Sequence, residues 1–152
     1  MDSLRKSLAT VISTSFGLGF IPLVPATWTS AVAAIALWFI PDPALVYCVV
    51  VLSVAGCWAC QPSREIFHAE DPKQFVMDEV CGMILTLIWL PKTIVLYVAG
   101  FFLFRVLDVW KPWPISRIQN SKHPWSIMGD DLLAGVFANI ILQFAVRAFI
   151  KL

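Results

Sequence analysis

Three charged side chains lie beside a strongly apolar run in the stretch FRVLDVWKPWPI, residues 104–115. Arg105, Asp108 and Lys111 follow LYVAGFFL, which is apolar enough to lie in lipid. Because ionised groups near hydrocarbon are costly, three so close together indicate either a functional site or the edge of a membrane. The interleaved Trp and Pro residues fit an edge, where a snorkelling Arg or Lys extends toward water. This stretch alone leaves both interpretations open.

Carboxylates also precede two other apolar segments, 80–90 and 132–150. If successive helices cross the membrane in opposite directions, these carboxylates and Asp108 lie at about the same depth on one side of it and can converge. Like charges raise each other's pKa, so such a cluster calls for a compensating cation. Oxygen-only ligands suit Mg²⁺. The sequence therefore predicts an Mg²⁺ site made from five acids, Asp78, Glu79, Asp108, Asp130 and Asp131.

The alternative interpretation is that these acids are solvated charges at helix ends. Carboxylates in the first turn of a helix are favourable for the macrodipole, which accounts for four of the five. It does not account for Asp108, which stands at the C-terminal end of its segment. Zinc is a poor fit, because His68 and His123 form no H-E-x-x-H arrangement.

A Gly/Pro-rich loop supplies candidate anion ligands in GLGFIPLVPATWTS, residues 17–30. We expect Thr27 to be the N-cap of an apolar helix and Ser30 to lie in its first turn. Free N–H groups and two hydroxyls at a helix start suit an anion, although the pattern equally describes an ordinary helix start. Arg105 and Lys111 are the matching cations for a phosphate. Thr27, Ser30, Arg105 and Lys111 are thus the predicted substrate-binding residues.

Helices in a membrane must position these side chains. The chain has 152 residues, 59% of them hydrophobic and 14% charged, whereas soluble proteins average roughly 25% charged. The pattern predicts an all-α, polytopic membrane bundle of about five or six helices, four or five of them in the membrane. It forms a single domain over residues 1–152, and its first sixteen residues form an interfacial helix. The apolar segments are 28–40, 44–60, 80–90, 94–107 and 132–150.

The distribution of Lys and Arg predicts the orientation of this multi-pass protein. Most basic residues lie in the N-terminus and in two long connections, which places those regions on the cytoplasmic side. The candidate site then also faces the cytoplasm. Net charge is only +1 and no basic stripe is present, so nucleic acid is not an expected partner. The oligomeric state stays open.

Acids for a metal and cations for an anion indicate metal-assisted phosphoryl chemistry at a membrane surface. Several phosphatase designs are excluded. No Arg stands six residues after a Cys, no two Asp stand two residues apart, and a Walker loop is absent.

The chain resembles the phosphatidylglycerophosphatase A family over roughly residues 16–136. Four blocks carry the resemblance, GLGFIPLVPATWTS, EDPKQFVMDEVCGMILTL, GFFLFRVLDVWKPWPI and IMGDDLLAGVFA. It implies an Mg²⁺-dependent hydrolase of the bacterial inner membrane that removes the terminal phosphate of phosphatidylglycerophosphate. The five acids fall on the family's acidic positions, and a catalytic role is implied for Asp78, Glu79, Asp108 and Asp131. One carboxylate would act as general base for water, or instead as a nucleophile.

Departures from the family pattern favour one alternative. Ala26 and Thr29 replace two glycines of P-G-T-x-G-S, and Gln119 stands where an Asp is usual. The side chains of Ala26 and Thr29 would crowd a phosphate-binding site built from backbone N–H groups. The alternative is therefore a catalytically impaired lipid-binding or scaffold protein derived from this family.

Overall fold

The computed structural model describes residues 3–119 and 123–149, and the regular elements in those ranges are all helical. This confirms the all-α prediction. The predicted count of five or six helices is wrong, because the described ranges hold seven. The additional short helix lies inside a predicted connection. The helices are α1 (Ser3–Ser13), α2 (Pro25–Leu37), α3 (Asp42–Phe67), α4 (Met77–Leu87), α5 (Ile94–Trp110), α6 (Ile115–Gln119) and α7 (Ser126–Phe149), with a 3-10 turn at Leu18–Phe20.

Two helices, α3 and α7, are long and apolar enough to cross a membrane. Only 22% of the most apolar part of α3 is buried inside the protein, so its side chains mainly face outward. Val50, Val51 and Val54 are each more than half exposed. Exposed apolar surface of this extent marks a lipid-facing protein. The other helices are shorter than a full span needs, and the predicted four or five crossings stay a prediction.

Helix α4 is the centre of the bundle and packs closely against α7. A side chain at Gly135 would collide with the carbonyl oxygen of Gly82, and one at Gly82 would meet the Asp131 carbonyl oxygen of α7 at 3.0 Å and the Phe104 ring of α5 at 2.5 Å. The two glycines therefore let the helices approach closely, as small residues do in membrane bundles. On α7, the Asn139 amide donates to the carbonyls of Thr86 and Ile88, both at 2.9 Å. It thereby satisfies free carbonyls at the end of α4.

The starts of α2 and α7 differ from the predictions. Helix α2 begins at Pro25, whose fixed φ suits the first helical position. Thr27 therefore lies inside the first turn, and its prediction as N-cap is wrong. Helix α7 begins at Ser126, so Asp130 and Asp131 lie in its second turn rather than its first. The favourable macrodipole of a first turn does not account for these two acids.

Helix α5 is followed by a C-cap residue in the left-handed conformation, Lys111, with φ of 45°. Its N–H donates to the Leu107 carbonyl at 2.8 Å, and Pro112 follows, which cannot continue the helix. At the opposite end of the bundle, Lys92 holds the two tight turns together. Its ammonium donates to the carbonyls of Trp38 and Ile40 at 2.9 and 2.6 Å.

Candidate active site

Five helix ends meet around one cavity of about 940 Å³. Its wall is formed by the N-terminal ends of α2, α4 and α7 and by the C-terminal ends of α3 and α5. The partial positive charges of three helix N-termini therefore converge there, an arrangement that attracts anions. The predicted site residues that line the cavity are Thr27, Asp78, Glu79, Arg105, Asp108, Lys111, Asp130 and Asp131. The convergence of all five acids is confirmed.

Arg105 connects the acids of α4 and α5. Its Nη1 donates to both carboxylate oxygens of Glu79, at 2.7 and 2.6 Å, and lies 2.8 Å from Asp108 Oδ2. All three side chains are largely buried, with Arg105 16% exposed and Glu79 7%. The guanidinium therefore points into the cavity and does not snorkel outward.

Lys111 connects α5 to α7 in the same way. Its Nζ lies 2.5 Å from Asp130 Oδ2 and 3.6 Å from Asp108 Oδ1. Asp108 thus stands between two cations, which compensate for its unfavourable position at a helix C-terminus. The stretch that contains these three residues is therefore part of the polar site, whereas Trp110 and Trp113 are exposed.

Two carboxylates take no part in the ion pairs within the described ranges. Among the described residues, Asp78 accepts a hydrogen bond only from the backbone N–H of Glu79, at 2.9 Å, and Asp131 forms no ion pair. In addition, Asp130 Oδ1 is buried and has no hydrogen-bond partner. Buried carboxylate oxygens without partners are costly, so these three residues present oxygens suited to a cation or a water.

The pKa shifts of ionisable groups at the ends of α4 and α5 reflect their burial and the closeness of other charges. Burial raises the pKa of Asp78, and the neighbouring charge of Glu79 raises it further. Burial also raises the pKa of Glu79, a shift that the Arg105 guanidinium opposes only in part. For Lys111, burial lowers the pKa, but the hydrogen bond to Asp130 and the surrounding carboxylates outweigh it, so the net pKa is raised.

The hydroxyl residues of α2 differ in where they lie. Thr27 lines the cavity, as does Ala26. Ser30 is fully buried, and its hydroxyl lies 2.8 Å from Glu79 Oε2 and 2.9 Å from the Ala26 carbonyl. Ser30 therefore contacts an acid of the site. Thr29 is also fully buried, its hydroxyl has no hydrogen-bond partner among the residues that the structure describes, and it does not form part of the cavity wall.

Some of the wall was not anticipated as part of the site. Arg64 lies in the last turn of α3 and lines the cavity together with the loop that follows the helix. One feature of the sequence could have indicated this: the long connection after α3 lies at the same end of the predicted bundle as the acids. These additional polar residues are Arg64, Glu70, Asp71, Lys73 and Ser126.

The charge of the cavity wall favours a bound cation. Seven carboxylates and four Lys or Arg side chains line it, which leaves an excess of three negative charges. A phosphate dianion would be repelled unless a cation offset this excess. Within the described ranges, no three acidic, His or Cys side chains are already close enough to share a metal ion. The donor chemistry nevertheless fits Mg²⁺, because Asp130 Oδ1 is a buried carboxylate oxygen without a partner among the described residues, and Asp131 forms no ion pair with them.

Comparison with known proteins finds a matching family model and similar proteins. The family model described as phosphatidylglycerophosphatase A matches residues 11–146. The chain is 38% identical to phosphatidylglycerophosphatase A of Escherichia coli, covering 88% of this chain and 81% of that protein. It is 36% identical to a Bacteroides thetaiotaomicron protein with the provisional name phosphatidylinositol-3-phosphatase, covering 91% and 93%. Phosphatidylglycerophosphatase A of Haemophilus influenzae is 29% identical, covering 90% and 87%. No solved structure shows significant similarity to the chain.

Proposed function

The chain belongs to the phosphatidylglycerophosphatase A family, and from this we propose that it hydrolyses the terminal phosphomonoester of phosphatidylglycerophosphate. The products are phosphatidylglycerol and inorganic phosphate, so the reaction is a step of phosphatidylglycerol biosynthesis. The observation that carries the proposal is the single cavity in which five acids and two ion-paired cations converge from three helices. An apolar exterior beside a polar cavity suits a substrate with acyl chains in lipid and a phosphorylated head group.

In this mechanism Arg105 and Lys111 bind the phosphoryl oxygens of the substrate and neutralise the charge that develops on them. Both cations are held in place by carboxylates, so little reorganisation is required when the phosphate arrives. Asp78 lines the cavity and forms no ion pair with the described residues. We assign it the role of general base, which removes a proton from the attacking water. The water oxygen forms a new bond to phosphorus while the P–O bond to the glycerol breaks, and the departing glycerol oxygen takes a proton from solvent water.

Mg²⁺ is the proposed cofactor, held chiefly by Asp130 and Asp131 with Glu79 and Asp108 in the same cluster. Buried Asp130 Oδ1, which lacks a partner, supports this assignment. When bound, Mg²⁺ supplies Lewis-acid polarisation of the phosphoryl group and offsets the negative charge of the wall. Ser30 holds Glu79 by a hydrogen bond, and Thr27 is placed to contact the phosphate.

The test is release of phosphate from phosphatidylglycerophosphate by the purified protein in detergent, with Mg²⁺ and after EDTA. We expect activity with Mg²⁺, none after EDTA, and recovery on adding Mg²⁺ back. Asp78→Asn should lower kcat by about 100-fold or more, the scale of general base catalysis, at an unchanged Mg²⁺ requirement. Asp131→Asn should raise the Mg²⁺ concentration needed for half-maximal rate. The matched control is Asp42→Asn, at the opposite end of the bundle.

Each outcome addresses a different part of the proposal. Activity that survives EDTA would reject the metal, and a fully active Asp78→Asn would reject its role as base. A folded wild-type protein that releases no phosphate would favour the lipid-binding or scaffold alternative. That alternative was motivated by Ala26 and Thr29, but Thr29 lies outside the cavity wall and so does not crowd it.

We further propose that this membrane protein is multi-pass and lies in the bacterial inner membrane, with the cavity on the cytoplasmic side. Four Lys or Arg side chains line the cavity, and cytoplasmic ends are the ones rich in these residues. The test is labelling with a membrane-impermeant maleimide in a cysteine-free background. Lys73→Cys should react only after cells are permeabilised, whereas Lys92→Cys, at the opposite end, should react in intact cells. The reverse pattern would invert the orientation.

A further inference from the structure

Arg64 is a cation of the cavity wall that forms no ion pair with any residue the structure describes. It stands in the last turn of α3 and lines the cavity that holds the five acids. Its Nε is buried and has no hydrogen-bond partner. Across residues 3–119 and 123–149, Arg64 also forms no ion pair, although seven carboxylates line the same cavity. A buried donor without a partner is unfavourable and indicates that a ligand completes it.

The other two buried cations of the wall are already engaged. Arg105 pairs with Glu79 and Asp108, and Lys111 pairs with Asp130 and Asp108. A basic residue in the last turn of a helix is favourable for the macrodipole, which is a structural reason for a cation at Arg64. That reason explains the charge, but it does not explain a buried Nε that faces no acceptor.

The proposed substrate carries two phosphate groups of different chemistry. One is the terminal phosphomonoester, which reacts, and the other is the phosphodiester that joins the head group to diacylglycerol. The cavity, at about 940 Å³, is near the upper end of the roughly 300–1,000 Å³ typical of small-molecule sites. It has room for more than the reacting phosphate. A planar guanidinium with several donors suits a phosphodiester, which offers two unesterified oxygens.

We propose that Arg64 binds the internal phosphodiester of the lipid and so selects head groups that carry a second phosphate. This inference rests on the proposed function. Arg64 is then a substrate-binding residue that anchors the head group while Arg105 and Lys111 hold the reacting phosphate. It contributes to binding of the substrate and not to the chemical step.

The two products allow the subsites to be tested separately. Phosphatidylglycerol retains the phosphodiester and lacks the phosphomonoester, whereas inorganic phosphate fills only the reacting subsite. In mixed micelles, the KM for phosphatidylglycerophosphate and the inhibition constants of both products are measured for wild type, Arg64→Ala and Arg64→Lys. Arg147→Ala is the matched control, because Arg147 is an exposed arginine in the last turn of α7, the other long helix.

For Arg64→Ala we expect KM and the inhibition constant of phosphatidylglycerol each to rise about tenfold, the size of one hydrogen bond to a charged group. The kcat and the inhibition constant of phosphate should stay within twofold of wild type. Arg64→Lys should give constants between those of wild type and Arg64→Ala. It also serves as the folded variant if Arg64→Ala unfolds the protein. Arg147→Ala should match wild type.

Other outcomes overturn the inference. Equal weakening of both products, or a loss confined to kcat, would indicate a structural role for Arg64. Unchanged constants, or no inhibition of the wild type by phosphatidylglycerol, would show that the phosphodiester is not bound there. A wild type that does not hydrolyse phosphatidylglycerophosphate would reject the proposed function itself, and this inference with it.

Discussion

Removal of the Arg105 charge is the sharpest test of how the site is held together. Arg105→Met keeps an apolar chain of similar reach but leaves Glu79, 5% exposed, buried without its cation. Breaking a buried ion pair by deleting one partner costs about 3–5 kcal/mol. We expect about 3 kcal/mol, the lower end, because Asp108 keeps Lys111 at 3.6 Å. For a domain of this size that lowers Tm by roughly 6–12 °C.

The assay is thermal unfolding of the purified protein in detergent micelles at fixed pH. The double variant Arg105→Met with Glu79→Gln should recover most of the lost stability, because a neutral amide needs no counter-charge. Ser30 remains able to donate to the amide oxygen, as it donates to Glu79 at 2.8 Å. Both variants should be inactive in phosphate release, which separates stability from catalysis. The control Arg117→Met removes an exposed arginine of α6 and should change stability by less than about 0.5 kcal/mol.

Two results would refute this reasoning. If Arg105→Met unfolds at the temperature of the wild type, the Arg105–Glu79 contact does not stabilise the folded protein. If the double variant is no more stable than the single one, the cost arises from lost packing around the arginine stem and not from the uncompensated Glu79 charge.

Three further variants test the packing behind the site by the same unfolding assay. Gly82→Ala should destabilise by about 1–3 kcal/mol and lower activity, because its Cβ would meet Phe104 of α5 at 2.5 Å; unchanged stability would contradict the close packing of α4 against α5. Asn139→Ala should cost about 1–3 kcal/mol by leaving the carbonyls of Thr86 and Ile88, at the end of α4, without this donor, and a neutral effect would mean that water replaces it. Thr29→Val should stabilise by about 1 kcal/mol, since it removes a buried hydroxyl without a partner; destabilisation would show that the hydroxyl is satisfied.

Helix positions in this protein follow from local features of the sequence. The long apolar runs specify α3, α5 and α7, because a chain in lipid must satisfy its backbone hydrogen bonds within each helix. The acids stand next to those runs, so alternate crossing brings them to one end of the bundle. Boundaries were less predictable: α3 runs on to Phe67 through Pro62, and α7 starts six residues before its apolar run.

The partners of the charged side chains depend on tertiary packing. Sequence spacing relates Arg105 to Asp108, three residues away, but its contacts with Glu79 join residues twenty-six apart. Likewise Lys111 reaches Asp130 on α7, and Ser30 reaches Glu79 from α2. Such pairs depend on how far each helix is rotated about its axis and how closely it approaches its neighbour.

By itself, then, the sequence determined an all-helical membrane protein, the reaction class implied by its motifs, and the residues that gather at one end. The tertiary structure decided which acids are neutralised by Arg105 and Lys111 and which keep free oxygens. It also brought Arg64 into the wall of the site. The physical reason is that helix propensity and hydropathy depend on residues that are neighbours in sequence. The close α4–α7 contact at Gly82 and Gly135, in contrast, sets which side chains from different helices meet.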